Sequence, residues 1–328
     1  MAASERDIEA RVETAAKTGG QRGMRWAWRR AKEPTTKHPP LAPKMWLRTV
    51  GWRHLIAIIA VIFALYPVIY IISSSVNAQD TLSAAKVIPD QMTLDSYREF
   101  FNPENPRITP FATWLKNSWI VSVAASSMNV ALAAMAAYAF ARFRFRGRRA
   151  GLLSLLLVQI FPQFLAFVAI LLIMINIGNV FEAIGLNTLI GLTLVYLGGA
   201  IGFNTFLIKG FMDSVPESLD ESARVDGAGV GTIFWKIILP LTRPALAVIF
   251  IISFINLFGE FLLARTLLSS TENFTLAVGL QLFTNADYGA SWGLLSASAV
   301  IAAGPIVLTF LIAQRAIVSG LTGGAVKG

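Results

Sequence analysis

Hydrophobic positions along the chain gather into six long runs, at about residues 54–76, 114–141, 151–174, 187–208, 244–266 and 292–316. Each comes near the ~20 residues that cross ~30 Å of hydrocarbon. The pattern therefore predicts an all-α polytopic membrane protein with six transmembrane helices. A transmembrane domain over residues 53–318 is flanked by a basic tail over residues 1–52 and a short tail over 319–328. Two polar intervals are long enough to matter on one side. Residues 77–113 form the longer, with three prolines between 103 and 110 that favour an extended approach to the second span. The other, about 267–291, is too polar to cross the membrane and too apolar for a solvated linker. It is expected to pack into a cavity mouth or against a partner.

Lys and Arg orient the spans. The first 53 residues hold twelve, "RFRFRGRR" after the second span holds five, residues 209–243 hold Lys209, Arg224, Lys236 and Arg243, and the tail holds Arg315 and Lys327. That side carries 23 of the 28 basic residues; Lys86, Arg98, Arg107, Lys116 and Arg265 belong to the other. The positive-inside rule makes the richer side cytoplasmic, with both termini there.

Composition agrees with this reading. Hydrophobic residues make up 55% of the 328 and charged residues 14%, against about a quarter charged in soluble domains. The formal charge of +9 could suggest nucleic acid, but its distribution is a topology signal, so no nucleic-acid partner is expected. The chain has no cysteine, and its two histidines, His38 and His54, precede or open the first run. No metal site or catalytic residue is expected. The tail segment "MRWAWRR" reads as a positive-inside flank or as a contact with anionic lipid. The first apolar run starts too late for a signal peptide and is expected to stay as the first span.

The least membrane-like stretch between two runs is "DSVPESLDESARVDGAGVGTIFWKIILP", within a cytoplasmic loop of about 209–243. Ser214 suits a helix cap, Pro216 a first turn, and Glu217 completes a capping-box spacing. Ser218 and Glu221 repeat that spacing, which gives Glu221 a local capping role as well. "DGAG", Asp226 to Gly229, breaks the helix because glycine accepts positive φ. "TIFWKII" resumes a short amphipathic helix, Pro240 ends it, and Pro244 marks the start of the fifth span. A bent, rigid pair of helices of this kind suits docking into a groove of another protein.

Several polar residues fall inside the runs: Asn117, Asn129, Gln159, Gln163, Asn204, Asn256 and Glu260. Such residues are candidates for a translocation cavity, or hydrogen-bond between helices. Gln159, Gln163, Asn256 and Glu260 are the cavity candidates, with Glu260 either paired structurally or facing water.

At the cytoplasmic loop the sequence resembles the permeases of ATP-binding-cassette importers. Their motif of Glu-Ala-Ala, three residues, Gly, nine residues and Ile-x-Leu-Pro is matched by Glu221, Ala223, Gly227, Ile237, Leu239 and Pro240, with Ser222 in place of the first Ala. "FNTFLIKGFMDSVPESLDESARVDGA" resembles the carbohydrate branch. "FGEFLLARTLLSS", "NFTLAVGLQLF" and "AQRAIVSGLTGGAVKG" resemble the second permease subunit of maltose-type importers. The resemblance implies a type I importer fold in the bacterial or archaeal cytoplasmic membrane. It also implies a heterodimer with a second permease subunit, two ATP-binding subunits and an extracytoplasmic sugar-binding protein, with an oligosaccharide as substrate. Glu221, Ser222, Ala223, Asp226, Gly227, Ile237, Leu239 and Pro240 would dock the ATPase, Glu221 by pairing with a basic residue and Gly227 by forming the bend. ATP and magnesium would belong to the partner, because this chain has no G-x-x-x-x-G-K-[ST], and it would be no enzyme and carry no cofactor itself. In the family the loop between the last two spans reaches into the binding protein. The matching tip is Asn285, Ala286 and Asp287, where the family's Pro and Gln are absent. Another carbohydrate, such as trehalose or a glycerol-phosphate ester, is the alternative cargo. A secondary transporter is the alternative class, but spans 1–3 show no similarity to spans 4–6.

Overall fold

A computed structural model describes residues 50–79, 86–102, 110–160, 163–199, 202–284 and 291–325. Most of the tail over residues 1–52, and the Asn285–Asp287 tip, lie outside the described residues. The chain divides into two compact units, Met1–Tyr66 and Pro67–Gly328. In the first, the described residues belong mainly to the start of helix α1 (Trp52–Ser75). Its Leu55, Ile56, Ile58, Ile59, Ile62 and Phe63 are all exposed. An apolar surface on every side of a helix is what lipid, rather than water, accepts.

In the second unit the described residues are almost entirely helical. The centre is α2 (Phe111–Arg142), a single helix of 32 residues, about 48 Å long at 1.5 Å per residue. It therefore outreaches the hydrocarbon at its ends. Ser118, Ser122, Ala125, Ser126, Ala133, Ala134, Ala137 and Ala141 are buried along it; side chains this small let neighbouring backbones approach closely. The first half of α2 meets one apolar core, with Trp114, Phe254, Phe258, Phe274 and Phe283. Its second half meets another, with Ile208, Met212, Ile233, Phe234 and Ile238.

Four helices of the described residues are long and apolar enough to cross a membrane: α1, α2, α8 (Val230–Phe258) and the stretch Trp292–Gln314. That last stretch belongs to α11 (Trp292–Ala325), which runs through residue 318 without a break. The third and fourth apolar runs are not single helices. The third is α3 (Arg148–Val158), a 3₁₀ turn Gln163–Ala166 and α4 (Phe167–Val180). The fourth is α5 (Leu189–Leu197) and α6 (Phe203–Asp213). Each interruption has a local cause in the sequence. Pro162 lacks a backbone donor, and "GGAIG" over residues 198–202 has little helix propensity.

The chain then forms α7 (Glu217–Val225), α8, α9 (Leu262–Leu267) and α10 (Leu276–Leu280). The interval 268–284, expected at a cavity mouth or against a partner, packs into this chain's own core: Leu268, Phe274, Leu276, Val278 and Phe283 are buried with Trp114 and Phe254. Of the three prolines between 103 and 110, Pro110 is described, and it takes a helical conformation as the residue before α2; the other two lie outside the described residues.

Candidate functional site

The bent helix pair is present, with three corrections to its details. Ser214 does not cap α7: its hydroxyl donates back to Phe211 O at 2.6 Å. The residue before α7 is Pro216, and no side chain caps the helix, so no capping box forms with Glu217. Ser218 and Glu221 make no such box either, because Ser218 lies inside the helix, where its carbonyl accepts from the Ser222 hydroxyl at 2.7 Å.

Gly227 makes the bend at φ +81°, while Gly229 is extended. The turn is closed by Gly227 N–H donating to Arg224 O at 3.0 Å and Ala228 N–H donating to Ala223 O at 2.9 Å. A Cβ built on Gly227 would meet nothing within 4 Å, so backbone conformation alone selects glycine there.

Pro240 does not end the second helix. Val230–Phe258 runs continuously through Pro240 and Pro244. A π turn over Phe234–Ile238 ends two residues before Pro240. Proline lacks an N–H and its ring crowds the carbonyl four residues earlier; a wider i→i+5 turn accommodates both effects without breaking the helix. Ile237 and Leu239 are half-buried here, and Pro240 is exposed.

The free face of this pair is mixed in character. Glu221, Ser222 and Asp226 are exposed. So are four apolar side chains around them, Leu219, Val225, Val230 and Trp235, with Val225 88% and Trp235 59% accessible. Ala223 is buried on the opposite face of α7.

Beneath that face lies a feature the motif does not name. Asp220 is one residue before Glu221, about 100° away around the helix, and is buried with Ala223. Its Oδ2 lies 2.8 Å from Nε of Arg142, at the end of α2, with both side chains no more than 4% accessible. Arg142 also donates from Nη2 to Val215 O at 2.8 Å. The Nε–Oδ2 contact is an ion pair by distance, but it is poorly directed as a hydrogen bond. Both Asp220 oxygens and the neighbouring buried hydroxyl of Tyr138 lack a well-formed one. Removing one partner of a buried pair leaves the other charge uncompensated and typically costs about 3–5 kcal/mol. The i, i+3 spacing of Asp220 and Ala223 was the available signal for an inward carboxylate.

At the other end of α2, the interval 268–284 is held by side-chain donors and acceptors. Trp114 Nε1–H donates to Thr271 O at 2.7 Å, and Asn117 Nδ2 donates to Glu272 O at 2.9 Å and Phe274 O at 3.0 Å. Leu276 N–H donates to Ser118 Oγ at 2.7 Å. Asn187, at φ 56°, accepts on Oδ1 from Ser269 and Ser270 N–H and donates to Ser270 Oγ. A Cβ at Gly279 would overlap the Trp114 indole, so glycine is required by close approach.

The cavity candidates have separate surroundings in the described residues. Glu260 accepts from Tyr196 Oη–H at 2.7 Å and from Leu263 and Ala264 N–H at 2.8 and 3.0 Å. It thus satisfies the first turn of α9 and ties it to α5. Gln159 is exposed and lies against Gly202. Asn256 is exposed. Gln163 opens the 3₁₀ turn, and its side chain is outside the described residues. Asn129 donates to Tyr196 O and Asn204 to Ser253 Oγ, both at 3.4 Å.

Residues 129–323 match the family described as the binding-protein-dependent transport system inner membrane component. The galactooligosaccharides transport system permease protein GanQ of Bacillus subtilis is 38% identical over 274 residues, 84% of this chain and 94% of that protein. The maltose/maltodextrin transport system permease protein MalG of Escherichia coli K12 is 38% identical over 283 residues, 84% of this chain and 95% of that protein. Among solved structures, a chain of a bacterial ABC transporter involved in the import of the acidic polysaccharide alginate superposes with a TM-score of 0.67. It is 24% identical, over 84% of this chain and 99% of that one, a likeness of fold alone.

Proposed function

Because this chain belongs to the binding-protein-dependent transport system inner membrane components, as a maltose-type ATP-binding-cassette sugar permease of the bacterial cytoplasmic membrane, we propose that it forms half of a translocation path for maltose- or maltodextrin-type oligosaccharides. The other half is a second permease subunit. Two ATP-binding subunits lie on the cytoplasmic side, one of them docked on this chain's loop at about residues 209–243, and an extracytoplasmic sugar-binding protein delivers cargo to the opposite face. The chain crosses the membrane six times with both ends inside, two of the crossings being the interrupted helices of the third and fourth runs. ATP and magnesium are held by the docked subunits, and this chain transmits force rather than performing chemistry.

The observation that carries the docking assignment is the free face of α7 and the start of α8. It offers an exposed carboxylate, Glu221, and exposed apolar side chains on the same helix pair, Val225, Val230 and Trp235. An apolar anchor beside a charge is the composition of an interface centre, and a cytoplasmic surface has no lipid to cover it. ATP closing the ATPase dimer moves this bent pair, and the movement opens the path on alternate sides of the membrane.

The equal identity to the GanQ and MalG proteins favours a second cargo, a galacto-oligosaccharide, through the same path. The test is uptake by vesicles holding the complete complex, given its binding protein and either labelled maltotriose or a labelled galactotriose. Uptake of one sugar that requires internal ATP and survives collapse of ion gradients is expected. Uptake driven by an ion gradient without ATP would overturn the importer reading; the preferred sugar decides between the two cargoes.

A further inference from the structure

A coupling loop that is merely docked on the ATPase transmits nothing unless it is also fixed to the part that must move. The described residues show where it is fixed. Arg142, the last residue of α2, holds Asp220 within α7 by an ion pair at 2.8 Å and holds Val215, just before α7, through its carbonyl at 2.8 Å. Arg142 and Asp220 are nearly inaccessible, so neither can be part of the surface that meets another subunit.

The opposite end of the same helix is fixed as specifically. Trp114, Asn117 and Ser118 lie within two turns of its start, and together they make four hydrogen bonds of 2.7–3.0 Å to the backbone of Thr271, Glu272, Phe274 and Leu276. Between the two grips, α2 runs unbroken from Phe111 to Arg142, whereas the third and fourth apolar runs are each interrupted. α2 contains no proline or glycine, the usual causes of a kink.

We propose that α2 is the rigid link between the two faces of the protein: the Arg142–Asp220 pair seizes the docking helix, and Trp114, Asn117 and Ser118 pass its displacement to the interval 271–276. This rests on the reading of about residues 209–243 as the ATPase-docking loop. Arg142 and Asp220 are positioning residues, acting through α7, and Asn117 and Ser118 are positioning residues for the opposite loop. The pair is suited to this task because both side chains are buried, so separating them would leave a charge without its counterpart inside the protein.

The experiment uses the complete complex in vesicles and measures two quantities. One is retention of ATPase subunits on the purified complex. The other is the ratio of ATP hydrolysis with sugar-loaded binding protein to hydrolysis without it. Asp220→Asn at one end, and Asn117→Leu with Ser118→Ala at the other, should each retain the ATPase subunits and lower that ratio at least fivefold. The charge swap Arg142→Asp with Asp220→Arg should recover at least half of what Asp220→Asn loses. Combining Asp220→Asn with Asn117→Leu and Ser118→Ala should lower the ratio no further than either end alone, because one link is broken once.

Multiplied losses would overturn the proposal, since independent structural damage adds in free energy. So would an unchanged ratio with only a lower Tm. If Asp220→Asn fails to assemble, the swap and the Asn117–Ser118 variant decide: a normal ratio in the latter refutes the link. A wild-type complex that never retains ATPase subunits would instead refute the docking reading, and this proposal with it.

Discussion

At the scale of residues, Gly227 and Glu260 illustrate two kinds of constraint. Gly227 has open space where a side chain would go and a φ of +81°. Its replacement therefore costs conformational energy, about 1–2 kcal/mol for an L-residue in that region, and more for a β-branched one. Gly227→Val should insert normally but lose most of its ATPase subunits in co-purification, as Glu221→Ala should. Gly227→Asn should keep most of them, because Asn tolerates the left-handed region. Equal losses for Val and Asn would show that the site demands smallness, not φ. Glu260 is satisfied by three donors at the start of α9. Glu260→Gln keeps an acceptor but not the charge, and a charged hydrogen bond contributes about 1.5–3 kcal/mol. The expected result is a lower Tm with sugar uptake largely preserved. Lost uptake at an unchanged Tm would instead put the carboxylate to work in the translocation cavity.

At the scale of elements, what could be read from the sequence was what the chain encodes locally. The bend at "DGAG", the long apolar helices α1 and α2, and the packed character of 268–284 all follow from residue order alone. The continuous helix through Pro240 did not, because proline is normally a terminator, and only a compensating π turn across Phe234–Ile238 permits it. The interruptions in the third and fourth runs were masked by hydropathy, which averages Pro162 and the glycines of 198–202 into their apolar neighbours. Asp220 was hidden for a different reason. Beside the motif glutamate it looks like one more surface charge, and its burial depends on Arg142, 78 positions earlier. Trp114, Asn117 and Ser118 were obscured likewise, since their partners are 155–158 residues away. Local pattern carries helix location well and tertiary pairing poorly.

At the scale of the whole molecule, the asymmetry of 23 basic residues against five determines the orientation proposed here. The chain has no cysteine of its own, so single introduced thiols report without background. Asp95 and Thr232 are both exposed. In intact cells, Asp95→Cys should react with a membrane-impermeant maleimide, and Thr232→Cys only after the membrane is opened. The reverse pattern would invert the topology and remove the docking loop from the cytoplasm. The long separations around α2 also impose a schedule on biosynthesis. A ribosome delivers Trp114, Asn117 and Arg142 well before Asp220, and finishes about four-fifths of the 328 residues before Thr271, Glu272 and Phe274 exist. Until then α2 sits in the bilayer as an unfinished piece, its Trp114 and Asn117 donors waiting on chain not yet made. A message cut short just before codon 271 would leave the Trp114 and Asn117 donors permanently stranded, and quality-control proteases would meet a product marked by its own unanswered polar side chains.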